Sequence, residues 1–342
     1  MPAVAVEVAF ASATPIPDTS ATRSSRHAVA PHAIASRLGD MRVVIAGSSG
    51  LVGTALVTFL SAQGHDVRRL VRRAPASPDE IRWDPDTGRL DPSDLEGADA
   101  VVNLAGAGVG DHRLTATYKR VVIDSRTRTT TLLAQTIAGL ATPPEVLLQA
   151  SGIGAYGLLA GRGDEVLDES TALGDTFFAG VVRTWEGCAA PAEDAGVRVA
   201  YLRSGIVLAP RGGALGRLLP LVRAGVGGPL GSGRQYWSWI TLTDEVAAIA
   251  HLLTAPVAGP VNFTSPEPAT NADLTAALAR AVHRPAVIKV PAFAVRLAIG
   301  EFSQEVLGSV RAVPRALSAS GFTWTHPGIA DAARWVTARP PQ

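Results

Sequence analysis

Cysteine is almost missing from this chain. The single Cys188 among 342 residues excludes an intrachain disulfide framework and a zinc cluster built from thiolates alone. It falls in an alanine-rich helical stretch, residues 185–195, where buried filler is the commoner role and a nucleophile the rarer one. Charge is also sparse: Asp, Glu, Lys and Arg make up 18% of the residues and the net charge is +1. Such a balance offers no broad basic surface, so neither nucleic acid nor an anionic membrane is an expected partner. Apolar residues reach 47%, yet no uninterrupted apolar run is long enough to span a bilayer. His112, His251 and His283 have no spacing, with each other or with carboxylates, that would build a metal site, and none is expected. What these absences leave is a cytoplasmic protein with a large core, as one two-part domain or two domains.

Residues 1–40 lack any sustained hydrophobic period. They are rich in Ala, Ser, Thr and Pro with scattered Arg and His. Residues 1–10 have neither the basic start of a signal peptide nor a clear cleavage pattern behind them. The Arg and Ser of residues 22–37 weakly resemble an organelle transit peptide, against which Glu7 and Asp18 argue. The segment reads as a disordered extension, with Met41 a candidate translation start.

What is present begins at residues 41–53. A β-branched run ends in Gly47-Ser48-Ser49-Gly50-Leu51-Val52-Gly53, and an apolar helical pattern (Leu51, Leu56, Val57, Leu60) follows at once. This G-x-x-G-x-x-G is one residue wider than the dinucleotide fingerprint but has the same physical reading. Gly47 turns the strand sharply, Gly50 admits a pyrophosphate to the backbone, and Gly53 lets the helix pack on the sheet. The free N–H groups and positive dipole end of the helix would face the phosphates. A second strand, residues 66–71, ends at Arg72-Arg73 where an NAD-preferring fold offers Asp or Glu to the ribose. A guanidinium there attracts a 2′-phosphate, so NADP is expected in preference to NAD. The alternative is a pair of solvated surface arginines.

Residues 81–99 read as loop, with turn chemistry at Asp84-Pro85-Asp86-Thr87-Gly88. Apolar strands then recur at residues 100–106, 146–150 and 197–202, separated by helical patterns at 114–140 and 177–195. Near-continuous apolar strands alternating with helices mean a parallel sheet covered on both faces. The expected fold is α/β, a Rossmann-type doubly wound parallel sheet with a smaller C-terminal α/β lobe. The dinucleotide-binding part spans 41–205 with a returning segment at 242–263, and the lobe spans 206–241 and 264–338. Within these stretches the pattern predicts helices over 215–222, 243–253 and 271–282, the last N-capped at Asn271. It predicts strands over 259–263 and 285–290, then helices to about Thr337.

Several motifs in this order resemble the short-chain dehydrogenase/reductase superfamily, in its extended, epimerase-like branch. Gly47 to Gly53 is similar to its cofactor loop, Asn103-Leu104-Ala105-Gly106 to its N-x-A-G motif, and Ser151-Gly152-Ile153-Gly154-Ala155-Tyr156-Gly157 to the strand end that carries its active-site serine. Leu202-Arg203-Ser204-Gly205-Ile206-Val207 resembles the L-R-x-x-x-V motif. Gly227-Gly228-Pro229-Leu230-Gly231-Ser232-Gly233-Arg234-Gln235, followed by Trp237-Ser238-Trp239-Ile240, is similar to one atypical subgroup with a small C-terminal domain. Its members are labelled nucleoside-diphosphate-sugar epimerase-like or cell-division-inhibitor-like. The resemblance covers residues 41–336. It implies that Gly47, Ser48, Ser49, Gly50, Leu51, Val52, Gly53, Arg72, Arg73, Leu104, Ala105, Gly106 and Ala150 hold NADP.

The chain departs from the superfamily at one point. Ordinary members use Tyr-x-x-x-Lys, the lysine lowering the tyrosine pKa for proton exchange with a substrate hydroxyl. Here Tyr118, Tyr156, Tyr201 and Tyr236 are followed four positions later by Val122, Ala160, Gly205 and Ile240. By spacing, the tyrosine place falls near Phe178 and the lysine place near Val182. The remaining candidates for chemistry are Ser151, whose hydroxyl could meet a substrate carbonyl or serve as a cap, and Tyr156. Without a lysine nearby, a phenol such as Tyr156 keeps a pKa of about 10, and a structural role fits it better than a catalytic one. The acidic residues Asp164, Glu165, Asp168 and Glu169 could supply a base if desolvated, or be solvated surface. Arg203, Arg234 and Trp237 are substrate-binding candidates; the two arginines could instead meet the cofactor phosphates, and an ion pair bridging the lobes is a further alternative for Arg234. Three functions fit: an NADP-dependent oxidoreductase or epimerase for an unidentified small polar substrate, a non-catalytic NADP-binding sensor or regulator, and an enzyme of non-redox chemistry with a structural nucleotide. The first is ranked highest, because a serine at the strand end and an aromatic-lined lobe exceed what a sensor needs. Oligomeric state is not legible.

Overall fold

The computed structural model describes residues 41–157 and 164–338, so the expected extension at 1–40 lies outside it. The sheet strands are β1 (Arg42–Ala46), β2 (Asp66–Val71), β3 (Glu80–Arg82), β4 (Ala100–Asn103), β5 (Val146–Gly152), β6 (Arg198–Ser204) and β7 (Gly259–Phe263). They form one seven-stranded sheet in the order β7-β6-β5-β4-β1-β2-β3, with every pairing parallel. The order reverses between β1 and β4, and ligands of doubly wound sheets bind outside the carboxyl ends of the strands at such a switch point.

The main helices are α1 (Leu51–Ala62), α2 (Ala116–Ala138), α3 (Phe177–Gly187), α4 (Gly213–Arg223), α5 (Leu242–Thr254), α6 (Asn271–Ala281), α7 (Ala292–Ile299) and α8 (Ile329–Thr337). Alternate strand residues feed opposite cores, because side chains switch faces at each step. Val43, Ile45, Val102 and Leu148 pack with Leu56 and Leu60 of α1 and Ile249 and Leu252 of α5. Val44, Ala46, Val101 and Leu147 pack instead with Leu133, Ala134 and Ile137 of α2. The residues outside the sheet build a third cluster, in which Leu215, Leu219 and Val222 of α4 meet Leu274 and Leu278 of α6 and Ala332 and Val336 of α8.

Four local expectations are corrected. The loop expected at 81–99 begins within the edge strand β3, which continues the sheet from β2. The helix expected over 177–195 divides into α3 and a short helix, Ala190–Asp194, with Pro191 in its first turn, where a missing N–H does no harm. The cap of α6 is Thr270, in a capping box with Asp273, not Asn271. No strand forms over 285–290, where Val290 makes an isolated bridge with Leu230. No helix among the described residues is long and apolar enough to cross a membrane.

Candidate active site

At the switch point the turn after β1 presses against the end of β4. Gly47 has φ +78°, and a Cβ there would lie 2.6 Å from the carbonyl carbon and oxygen of Leu104. A Cβ on Gly53 would lie 2.2 Å from the Gly47 oxygen. Both glycines are therefore demanded by the chain itself. Gly50 is not: its Cβ would meet only the Gly47 oxygen, at 3.4 Å. Gly50 caps α1 without a side-chain hydrogen bond, and no acidic residue stands in the first turn. Such an end, with uncapped N–H groups, suits an anion.

Beside this turn is a cavity of about 910 Å³. Gly47, Ser48, Ser49 and Gly50 form one wall, Leu104, Ala105 and Gly106 another, and Arg72 and Arg73 stand at the end of β2. Volume, uncapped helix end and glycine cradle all fit a dinucleotide. Leu51 faces a second, mostly apolar cavity between α1 and α5. Val52, Gly53 and Ala150 line neither cavity; Gly53 serves helix–turn packing and Ala150 lies on β5.

The two arginines differ. Arg73 forms a fork on Glu80 of β3, both bonds 2.6 Å, and this pairing holds the Glu80 carboxyl down at about 2. Arg69 also reaches Glu80 and pairs with Asp79. Arg72 is exposed and has no hydrogen bond or ion pair among the described residues, leaving it the surplus cation of this end. Arg73 lines the same cavity, but its guanidinium is paired with the edge strand.

Asn103 is fully buried. It donates to Gln149 (2.9 Å) and Thr130 (3.2 Å) and accepts from the Ala105 N–H, shaping the turn at Leu104–Gly106. Thr130 in turn accepts from Trp185 Nε1 at 2.9 Å, which ties α3 to the same network.

At the end of β5, Ser151 Oγ donates to Glu186 Oε1 at 2.7 Å. Arg203 grips both oxygens of Glu186, from Nε at 2.9 Å and Nη2 at 2.8 Å. With its one proton given to a carboxylate, the serine hydroxyl is left as an acceptor. Ser151 is itself buried and lines neither cavity, so within the protein its hydroxyl serves the Glu186–Arg203 pair.

Two further assignments are overturned. Tyr156 is fully buried, its hydroxyl donating to Asn262 Oδ1 at 2.7 Å, and burial raises its pKa above the ordinary phenol value. Arg203 is buried, paired with Glu186 and stacked on the Tyr156 ring at 5.4 Å. Neither can reach a substrate, because each is sealed in the wall behind Ser151. Arg234 is exposed and without a side-chain partner among the described residues, while Trp237 Nε1 donates to the Val306 carbonyl at 3.0 Å. Two of the four acidic residues act as ties: Asp168 pairs with Arg315, and Glu169 accepts from the Asn262 and Ala316 N–H groups.

Phe178 and Val182 lie one turn apart on α3. A Cβ on Gly154 would approach Phe178 Cβ to 3.2 Å, which places the ring against the turn after Ser151. Phe302, from the C-terminal segment, meets Phe178 edge to face at 6.4 Å. Apolar groups thus occupy the positions where the resemblance expects tyrosine and lysine.

Residues 43–264 match the NAD dependent epimerase/dehydratase family, and residues 290–336 match a domain of unknown function. The chain belongs to the NAD dependent epimerase/dehydratase family. An epimerase family protein of Mycobacterium tuberculosis is 45% identical over 302 residues, 87% of this chain and 98% of the relative. The human epimerase family protein SDR39U1 is 36% identical over 305 residues, 87% of this chain and all of the relative. A crystal structure of that human protein with NADPH superposes with TM-score 0.79 at 34% identity, covering 87% of this chain and 99% of the other. A nucleoside-diphosphate sugar epimerase from Corynebacterium glutamicum gives TM-score 0.72 at 34% identity, covering 90% of this chain and 61% of the other.

Proposed function

We propose that this epimerase-family protein is an NADP(H)-dependent oxidoreductase or epimerase for a small polar substrate, working without a Tyr-x-x-x-Lys pair. The observation that carries the cofactor choice is Arg72, a guanidinium with no internal partner on the wall of a cavity that the glycine turn shapes for a dinucleotide. The human relative's structure with NADPH supports it. Gly47, Ser48, Ser49 and Gly50 would cradle the diphosphate, Leu104, Ala105 and Gly106 would support the dinucleotide from the β4 side, and Arg72 would meet the 2′-phosphate. The bound nicotinamide supplies hydride chemistry. This chain supplies Ser151, which would accept a substrate hydroxyl while Glu186 and Arg203 fix its rotamer, and Phe178, which keeps water from that end of the sheet.

The test is calorimetric titration of NADPH and NADH onto the parent protein and Arg72→Asp. NADPH should bind about 10- to 100-fold more tightly than NADH, as expected for one charge-assisted contact, and Arg72→Asp should abolish the difference. Equal affinities in the parent would overturn the reading. A non-catalytic NADP sensor is favoured by one observation, the apolar Phe178 and Val182 at the usual proton-transfer positions. Turnover of any carbonyl or nucleotide sugar by the parent, slowed by Ser151→Ala, would decide for the enzyme.

A further inference from the structure

Arg126, on α2, is a partly buried guanidinium with no carboxylate partner among the described residues. Its Nη1 donates to the carbonyls of Ala107 at 3.0 Å and Val122 at 3.1 Å. Its plane lies over the Trp185 ring at 4.9 Å. Nε and Nη2 make no hydrogen bond among the described residues and are not sealed from solvent. Loss of hydration pulls its pKa down to about 10. Buried cations are ordinarily paired, so a desolvated guanidinium satisfied only by two carbonyls is half of an ion pair.

Its position says where the other half belongs. Gly106 and Ala107 line the dinucleotide cavity, as do Asp124 and Ser125 beside it on α2. A Cβ on Gly106 would meet the Arg126 Cζ at 3.4 Å. On the far side Trp185 directly precedes Glu186, the partner of Ser151. Val182, at the usual lysine position, is one helical turn before Trp185 on α3. A cation is therefore held directly behind the Gly106–Ala107 wall of the cavity, on α2, with Trp185 of α3 on its other side.

We propose that Arg126 binds a phosphoryl group at the junction of the dinucleotide cavity and the Ser151 end of the sheet, its Nε–Nη2 edge forming the fork. The group is either the nicotinamide-side phosphate of the dinucleotide, which rests on the nucleotide reading above, or a phosphate carried by the substrate. The two sources share one chemistry, and Arg is suited to it by its planar, bidentate donor edge.

The experiment compares the full chain with Arg126→Gln and Arg126→Lys by calorimetry, using NADPH, 2′,5′-ADP and inorganic phosphate. 2′,5′-ADP lacks the nicotinamide half, so its affinity should stay within twofold in both variants and reports an intact fold. If the dinucleotide is the source, NADPH binding weakens at least tenfold in Arg126→Gln, with Arg126→Lys between. If the substrate is the source, NADPH binding is unchanged, and inorganic phosphate titrated onto the NADPH-bound protein loses at least tenfold. Parent-like titrations of both NADPH and phosphate in Arg126→Gln overturn the proposal. Should Arg126→Gln lose 2′,5′-ADP as well, the charge-retaining Arg126→Lys decides by the same two titrations. Failure of 2′,5′-ADP to bind the parent sinks the nucleotide reading, while the phosphate arm still judges Arg126.

Discussion

Glu186 holds two partners at once, Ser151 and Arg203, and the two contacts differ in weight. Arg203 is buried, so removing Glu186 strands a charge in low dielectric. Glu186→Ala should destabilise the protein by about 3–5 kcal/mol in urea denaturation. Ser151→Ala gives up one hydrogen bond and should cost only about 1 kcal/mol. Equal losses for the two variants would mean that Arg203 finds another partner and that the wall is softer than it looks. At this scale the sequence was legible for chemistry and illegible for burial. Gly47 and Gly53 follow from the turn they must make. Arg203 and Tyr156 have residue types suited to a ligand, and only packing shows that each is spent on the protein itself. Arg73 and Arg72 are adjacent and alike, and what separates them is Glu80 on a three-residue strand that no pattern announced.

Among the elements, α5 carries the clearest conflict with its surroundings. Glu245 is buried in its first turn, bonded through one oxygen to Ser204 at 2.6 Å, and its other oxygen has no partner. Loss of hydration pushes its pKa up to about 8, from an ordinary 4.5. The folded state thus holds a proton that the unfolded chain releases. Stability from this group is fully present below about pH 4.5 and is lost as pH rises toward and through about 8. Glu245→Gln should flatten the loss of melting temperature between pH 5 and pH 9, a difference on the order of a few kcal/mol at the alkaline end. An identical pH profile in parent and variant would show the carboxyl to be solvated. Helix α5 was read correctly as an element, because its apolar spacing is strong. An acid in the first turn favours the helix dipole where it meets solvent, and burial denies Glu245 that role. The third strand escaped detection because three residues are too few to show a period, and the division after α3 because Pro191 is compatible with the first turn of a new helix.

Across the whole molecule, the sheet edge at β7 is tied to the C-terminal segment through a few polar contacts. Asn262 accepts from Tyr156, donates through Nδ2 to the Val313 carbonyl at 3.0 Å, and gives its backbone N–H to Glu169 at 3.0 Å. The same Glu169 oxygen accepts from the Ala316 N–H at 3.1 Å. One carboxylate therefore covers part of an edge strand and fastens the segment behind it, so the edge is not left open to another chain. The parallel sheet was implied by the alternation of strands and helices, but these ties join residues far apart in sequence and leave no local signature. Glu169→Ala should leave two backbone N–H groups without partners, at about 1–3 kcal/mol each. Hydrogen exchange should then quicken at residues 311–319 while β1 keeps its protection, and Glu169→Gln, which retains an acceptor oxygen, should recover most of the loss. If exchange at 311–319 is unchanged in Glu169→Ala, the segment is held by apolar packing around Leu317 alone, and the carboxylate is surface decoration.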